Sequence, residues 1–592
     1  GREGVDDRQV SLMLKQCTDV REVVDIVQEH GPKLDRANVN GALGCLVRLR
    51  WSQDKKDERD AYKILDSRIR DVIGELDGRG VSNILHSLAK LQSSYRVRDL
   101  GGLDTELVDR TEQLLRGREE FKPQELSSLM WALMKMEMEV KRSLVDAVSR
   151  NVLANSSARL FSAQDIANFL WALAKLGVQY EGDLVEVGAH LGRRAAVVAS
   201  LFTVQQVENV LWAYARLGAT LAEDVAVAMQ RRALAVLGDF KPQDTANVLW
   251  ALAKLEVRVD PELLDALVRR AGLVARELQH SGVSNVLWAF AKLQVVVGRE
   301  LMLLMLLRAK VKVGDFKQEE VADFMWALAV MGIVVEEELL EAMVARAKAT
   351  AGEFGPRDVA NLLWALATME VKADRELVDA LRKRATTTAG EFTPRQVSDL
   401  MWALAKLGGI CDAGLAHAMT WRAAATVDQF GPQDIAGLLW ALATMGRKLK
   451  ADVAQAILRR AVETVEDFTG KQVSSLMWAL AKLGVQVEEV LVDGMCRRAV
   501  ATARDYAPED ITKLLWALAT IDAAVGGEVV RVMVRRAGET AAAFDPPTIA
   551  ALQAAVEVLG APMEPDFFFS MRTASALRID GEAAASSSSP AR

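Results

Sequence analysis

The chain has 592 residues, 51% apolar and 26% charged, with 13 Pro and 4 Cys, which excludes collagen-like, disordered and disulfide-scaffold chains. No apolar run approaches the ~18 residues of a membrane span, the longest obvious one being Leu301–Leu307. Lys+Arg number 73 against 80 Asp+Glu, a net charge of −7, so the chain as a whole is not a basic nucleic-acid binder. Length alone suggests roughly four domains, yet no stretch reads as a linker, and the 13 Trp need a place.

In chain order, residues 1–37 read as amino-terminal capping helices, residues 38–560 as a repeat array, and residues 561–592 as a tail whose end, EAAASSSSPAR, has a disordered composition. Eleven tryptophans set the frame, each in a context such as LWALAKL: Trp131, Trp171, Trp212, Trp250, Trp288, Trp326, Trp364, Trp402, Trp440, Trp478 and Trp516. The first two gaps are 40 and 41 residues and every later one is 38. The frame continues to Ala554 and back to His86 and Gly44, giving about thirteen units. A fixed period of this size marks a solenoid. Each unit reads as two helices. An aromatic or Leu (Phe121, Phe240, Phe392, Tyr506) precedes an N-cap, and many units then place Pro first and an acid or amide third, as in Thr393-Pro394-Arg395-Gln396. The first helix often ends near Gly, as at Gly177 and Gly332, and a second follows, such as PELLDALVRRAGLV. The class is all-α, an α-solenoid of helical hairpins.

At 100° per residue, Thr245, Val248, Leu252 and Leu255 share one side of a first helix, while Trp250 faces away beside Ala246 and Ala253. The Trp is expected to pack between repeats; a base-stacking platform is the other reading. Two polar columns carry the functional question. Three residues before the Trp stand Asn83, Ser128, Asn168, Asn209, Asn247, Asn285, Asp323, Asn361, Asp399, Gly437, Ser475 and Lys513, and four residues after it stand cations such as Lys254, Lys292, Lys406 and Lys482, or Thr. Both lie within about 60° of the Trp. Small polar side chains at one place per repeat suit reading of Watson–Crick edges, with Lys for phosphate; an inter-helix hydrogen-bond ladder fits equally. Twenty residues after the Trp comes Arg in nine consecutive units, Arg232 to Arg536. It reads as an architectural residue, phosphate tracking being the alternative. The variable residue just before it (Arg231, Arg269, Lys383, Arg459, Arg497, Arg535) is the better candidate for ligand contact.

No Walker A loop, GxGxxG, HExxH or GxSxG motif is present, the five His are scattered, and the four Cys show no CxxC spacing. We therefore expect no catalytic activity, no cofactor, no metal and no small-molecule substrate.

The phrase Phe-x-Pro-Gln-Asp-x-x-Asn-x-Leu-Trp-Ala-Leu-Ala-Lys-Leu, nearly complete at Phe240 to Leu255, resembles the octotricopeptide and heptatricopeptide repeats of algal and protist organelle proteins. It is also similar to the repeat domain of subunit six of the RNA-editing substrate-binding complex, and Cys17–Leu49 resembles the start common to such proteins. The resemblance implies binding of single-stranded organellar RNA and a role in its processing, stability, editing or translation, in the mitochondrion or alternatively the plastid. Many relatives end in a RAP domain, a nuclease-like module; none is legible after Leu559. The chain begins at Gly1 rather than Met, so a targeting peptide is not legible in it. The rival expectation is an interaction scaffold bound to organellar RNA-processing or ribosomal proteins. A net charge of −7 suits RNA only if a basic face is offset by an acidic one.

Overall fold

The computed structural model describes residues 7–49, 56–95, 101–154, 157–372, 374–408, 411–521, 527–560 and 566–587. Within them lie thirty α-helices and no strand, forming the alternating arms of fifteen hairpins. The fold is the expected all-α repeat solenoid. Fourteen hairpins begin with a first helix in the tryptophan frame, from Arg36–Arg48 to Pro546–Val558, one more than the spacing suggested. The remaining pair, Asp7–Gln16 and Val20–His30, packs onto the next hairpin arm against arm. The chain divides into two units, residues 1–308 and 309–592. In each, first helices pack on first helices and second helices on second.

The hairpin from Phe240 to Leu278 shows why the sequence folds this way. Phe240 is fully buried, and Lys241 is the N-cap of the helix Pro242–Lys254. The Lys241 backbone N–H donates to the Asp244 carboxylate at 2.7 Å, satisfying a group the helix leaves unpaired. The same bond joins Lys122 to Glu125, Thr203 to Gln206, Lys317 to Glu320, Thr393 to Gln396 and Gly431 to Asp434. Thr245, Val248, Leu249 and Leu252 are buried toward the second arm, and Ala246 and Ala253 permit close approach of the neighbouring first helices. The chain then leaves through a left-handed residue, Glu256 here (φ 53°) and Gly in sister repeats such as Gly177 (φ 67°). The second helix, Pro261–Val274, buries Leu263, Ala266, Leu267 and Ala271, a single apolar stripe.

The Arg of the second helix closes the hairpin. Its Nε donates to the carbonyl of the aromatic that precedes the first helix of the same repeat. The pairs are Arg232 to Phe202 (2.7 Å), Arg270 to Phe240 (3.1 Å), Arg346 to Phe316 (2.6 Å), Arg384 to Phe354 (2.7 Å), Arg422 to Phe392 (2.7 Å), Arg460 to Phe430 (3.0 Å) and Arg498 to Phe468 (2.6 Å). Arg308 uses Leu278 (2.6 Å) and Arg536 uses Arg504 (2.8 Å). Eight guanidiniums of the column thus share one architectural bond, while Arg536 reaches the Arg504 carbonyl through Nη2; the architectural reading of the column is the one these bonds support. Repeats of other lengths carry the same bond in another register, from Arg68 to Leu34, Arg110 to Leu76 and Arg194 to Phe161. Asn151 (to Glu119, 2.6 Å) and Ser575 (to Phe544, 2.7 Å) take the Arg's place in two more. Ser575 lies on the helix Phe567–Ser587, which occupies much of the segment read as a tail and stands as the second arm of the last hairpin. The first six residues of EAAASSSSPAR, 582–587, belong to this helix, against the disordered end expected from their composition, and residues 588–592 lie outside the described residues.

A buried carbonyl deprived of a charged donor costs about 1.5–3 kcal/mol. Arg384→Ala should therefore lower the urea midpoint by the equivalent of about 2 kcal/mol, whereas Lys383→Ala, exposed next to it, should stay within about 0.5 kcal/mol.

Candidate nucleic-acid interface

The solvent-facing side of each first helix repeats one arrangement. The Trp is half-exposed in ten of the eleven repeats and buried in the other, at Trp288. Neighbouring indoles contact at centroid distances of 6.3 Å (Trp250–Trp288), 6.5 Å (Trp326–Trp364) and 6.4 Å (Trp364–Trp402 and Trp402–Trp440), tilted by 33–37°. A base inserted between parallel rings needs about 7 Å, twice the ~3.4 Å stacking rise, so these contacts are packing and not slots. His86 takes the Trp place in its repeat, 4.8 Å from Trp131, and burial pushes its pKa down to about 4, so it is a neutral ring in the ladder.

Three of the lysines four residues on, Lys175, Lys292 and Lys406, stand against the indoles. Lys175 Nζ lies 5.9 Å from the Trp171 ring centroid and 4.8 Å from that of Trp212. Lys406 is 5.8 and 5.7 Å from Trp402 and Trp440, and Lys292 is 5.8 Å from Trp288. Cation–π attraction of this kind is worth about 0.5–1 kcal/mol at an exposed site. It fixes where the ammonium stands. Lys254, Lys292, Lys406 and Lys482 are all exposed on this face.

Asn83 is exposed, and Asn168, Asn209, Asn247, Asn285, Asp323, Asn361, Asp399 and Ser475 are half-exposed beside the Trp. Several are positioned by a residue that the sequence reading passed over, seven before the Trp and only 20° from it in azimuth. Gln164, Gln205 and Gln243 donate to the Oδ1 of Asn168, Asn209 and Asn247 at 2.8, 3.2 and 2.9 Å. In the second unit Arg357 pairs with Asp323 (3.1 Å) and Arg395 with Asp399 (2.8 Å). Projecting the whole first helix, including its capping turn, would have shown this column.

Arg231, Arg269, Lys383, Arg459, Arg497 and Arg535 are exposed, but on the second helices. Arg231, for example, borders a depression formed by Glu223, Val227, Gln230 and the Arg258–Leu263 connection. The structure does not bring them together with the Trp–Asn–Lys face, because the two arms of a hairpin bury their facing sides against each other and expose opposite ones.

Charge divides unevenly along the first-helix face. From residue 79 to 292 its four columns (seven and three before the Trp, the Trp itself, four after) hold Arg79, Lys90, Lys135, Lys175, Arg216, Lys254 and Lys292, and no carboxylate. From residue 319 to 520 they hold six cations but also Glu319, Asp323, Asp399 and Glu509, and three of those cations (Arg357, Arg395, Lys513) are in ion pairs.

In the first unit Trp131, Trp171, Trp212 and Trp250 make no ring contact with one another, and there a groove of about 490 Å³ opens. Asn168, Lys175, Gln205, Asn209, Gln243 and Asn247 line it together with Glu208. Glu208 is 7% exposed and accepts from Asn247 Nδ2 and from Gln205 Nε2 (2.9 Å). Burial pushes its pKa up to about 7, against the Asn247 hydrogen bond and the Lys175 charge, with Asp244 adding to the rise. In the second unit burial likewise raises Asp323 to about 6 despite Arg357. Among the described residues no cluster of His, Cys, Asp or Glu could hold a metal ion, and no helix is long and apolar enough to cross a membrane.

The architecture and this repeated aromatic–amide–cation face define the chain as an α-solenoid protein of helical-hairpin repeats. It belongs to the RNA-editing substrate-binding complex 6 protein family, whose model matches residues 70–337 and 333–556. No curated protein matches the chain. Solved structures similar to it are distant. She4p is 11% identical, with 96% of this chain and 83% of that one covered at a TM-score of 0.29. A homology model of the full-length AP-3 complex in an intermediate open conformation is 12% identical, covering 98% and 93% at 0.26. The karyopherin Kap121p bound to the SUMO protease Ulp1p is 11% identical, covering 89% and 57% at 0.24. No functional conclusion is drawn from likeness at this level.

A carboxyl whose pKa is raised on folding favours the folded state below its ordinary range and loses that advantage as pH climbs through the folded value. Stability should thus fall between about pH 4.5 and 7.5 in part through Glu208. Glu208→Gln should flatten that slope and raise stability at pH 8 by on the order of 2 kcal/mol, read as urea midpoints at pH 5 and pH 8.

Proposed function

We propose that this chain is a non-catalytic RNA-binding protein that engages single-stranded RNA along its first-helix face, chiefly over residues 79–292. It would act in the processing, stability, editing or translation of mitochondrial RNA, plastid RNA being the alternative. The observation that carries this reading is the run of cations, two of them (Lys175 and Lys292) set by tryptophans, beside paired amides on a face without carboxylates in those columns. The overall charge of −7 is no obstacle when the cations are gathered on one face. Membership of a family described by an RNA-editing substrate-binding complex supports it. Ammoniums held in place take phosphates with little ordering cost, and half-exposed amides beside them offer donors and acceptors to base edges. Asn83, Asn168, Asn209, Asn247, Asn285, Asn361 and Ser475, with Lys254 and Lys292, are the proposed contacts. Asp323 and Asp399, each paired with Arg, and Lys406 and Lys482 extend the series into the second unit.

Six cations in the column after the Trp, from Lys90 to Lys292, imply a log–log salt slope near −4 at ~0.7 per phosphate. The combined substitutions Lys175→Ala and Lys254→Ala should weaken binding of a single-stranded RNA and shift that slope by about 1.4, measured by fluorescence anisotropy across a salt series. Lys383→Ala with Arg459→Ala, on the second helices, should leave it unchanged. An unaltered slope in the first variant would place the RNA elsewhere.

A second reading, an interaction scaffold for RNA-processing or ribosomal proteins, has its own observation and its own surface. Leu273 (76% exposed), Leu303 (51%) and Leu307 (50%) stand out on the second helices, and Leu307 occupies the place that holds Arg or Lys in six repeats. Leu303→Asp with Leu307→Asp should release protein partners recovered with the chain while RNA affinity stays the same.

A further inference from the structure

We propose that the groove lined by Trp131, Trp171 and Trp212 is a base-reading site selective for guanine, with Glu208 as the residue that selects it. The inference rests on the RNA-binding reading above and narrows it to one position.

The observation behind it is a break in a column. Four residues before the Trp, every other Trp-bearing repeat has a small side chain: Ser127, Ala167, Ala246, Ser284, Ala322 and so on to Thr512. That place lies against the next repeat, since a Cβ added at Gly437 would sit 2.3 Å from Ser398 Oγ. At Trp212 alone the place is filled by a carboxylate, Glu208, and it falls where the indole ladder is open and the groove forms.

The groove's chemistry is asymmetric. Asn168 and Asn209 each accept one hydrogen bond at Oδ1, from Gln164 and Gln205, which turns their amide groups so that the Nδ2 protons remain to be offered alongside one Oδ1 lone pair. Lys175 adds a cation. Glu208 is the one carboxylate among the lining residues. Each of its oxygens accepts one hydrogen bond, from Asn247 or from Gln205, and Asp244 lies within hydrogen-bonding reach when one of the two carboxyls is protonated; with both ionised, two of the about four lone-pair sites remain. Guanine is the base whose Watson–Crick edge presents two adjacent donors, N1–H and N2–H₂, which a carboxylate accepts side by side, while its O6 meets surrounding donors. Adenine and cytosine turn a ring-nitrogen lone pair toward the carboxylate, and uracil offers a single N–H between two carbonyls. The volume, about 490 Å³, lies in the ~300–1,000 Å³ range of small-ligand pockets, so one nucleotide fits. Asp244 and Lys175 are the other charged groups bearing on Glu208, the first raising and the second lowering its proton affinity. The ionised form is therefore the one to test, above pH 7.

The test uses the full chain at pH 8 and about 50 mM salt, with labelled U12 RNA and three versions carrying a single central G, A or C. The G version should bind about tenfold more tightly than the other three, the scale of one good bidentate base contact. Glu208→Ala, which installs the residue the sister repeats already have, and Glu208→Gln should each bring the four RNAs within about twofold of one another while U12 binding is retained. Equal binding of all four RNAs by the unaltered chain overturns the guanine assignment, as does a G preference that survives both substitutions. Failure of the unaltered chain to bind any of the four sinks the RNA reading itself, a result distinct from loss of selectivity.

Discussion

Most hairpins share one bond, a donor on the second helix reaching the carbonyl of the residue that leads into the first, or one two residues earlier at Asn151 and Arg536. That carbonyl belongs to a chain that has just left a 3₁₀ turn and is about to begin a helix, so no backbone partner is in reach, and it sits against a fully buried aromatic. Left unpaired it would cost what a buried polar group costs. A guanidinium fits because its Nε–H lies at the end of a long stem that can remain half-buried along the helix. Where the hairpin geometry differs, Asn151 and Ser575 supply the donor instead. With the two arms fixed to each other, the first helices are free to put Leu and Val inward and Trp outward in every repeat.

That division of labour bears on the charge balance. The inward sides are consumed by packing, and the two outward sides face opposite ways with different chemistry. One carries indoles, amides and cations, dense in cations and free of carboxylates in its four columns over residues 79–292. The other carries a mixed set in which Arg and Lys alternate with Leu307, Ala345 and Trp421. A net charge averaged over the chain says little about either. The tryptophans pack against one another along much of the array, and those beside Lys175, Lys292 and Lys406 fix where these ammoniums stand.

Much of this was legible in the sequence because repetition acts as an internal alignment. The 38-residue Trp spacing revealed the solenoid, the Pro and Gly punctuation marked the helix ends, and the constancy of Arg against its variable neighbour suggested an architectural role. What was missed has physical reasons. The locks at Arg68, Arg110 and Arg194 escaped notice because longer connections move them out of the 38-residue register. The helix Phe567–Ser587 was read as tail because it has no Trp frame of its own and completes a hairpin begun by Pro546–Val558. Gln164, Gln205 and Gln243 lie in the first turn, one residue before the capping acid or amide, and only the folded helix shows them reaching the Asn column. Glu208 was visible as a letter, but a broken column acquires meaning only once its neighbours are known to be in contact. The six cations of the second column, offered as ligand contacts by their variable position, stand on the second helices, on the other outward face from the Asn column.

The lock has a further consequence for how such a protein changes over time. Donor and carbonyl lie 30 residues apart inside a single 38-residue repeat, so the bond never reaches into a neighbour. A duplicated or deleted unit takes its own closure with it, and the flanking units meet the same kind of surface as before. The length of the array, and with it the number of side-chain pairs it presents, can thus grow or shrink in whole steps without redesign of the joints, while single substitutions within a unit alter what that unit presents.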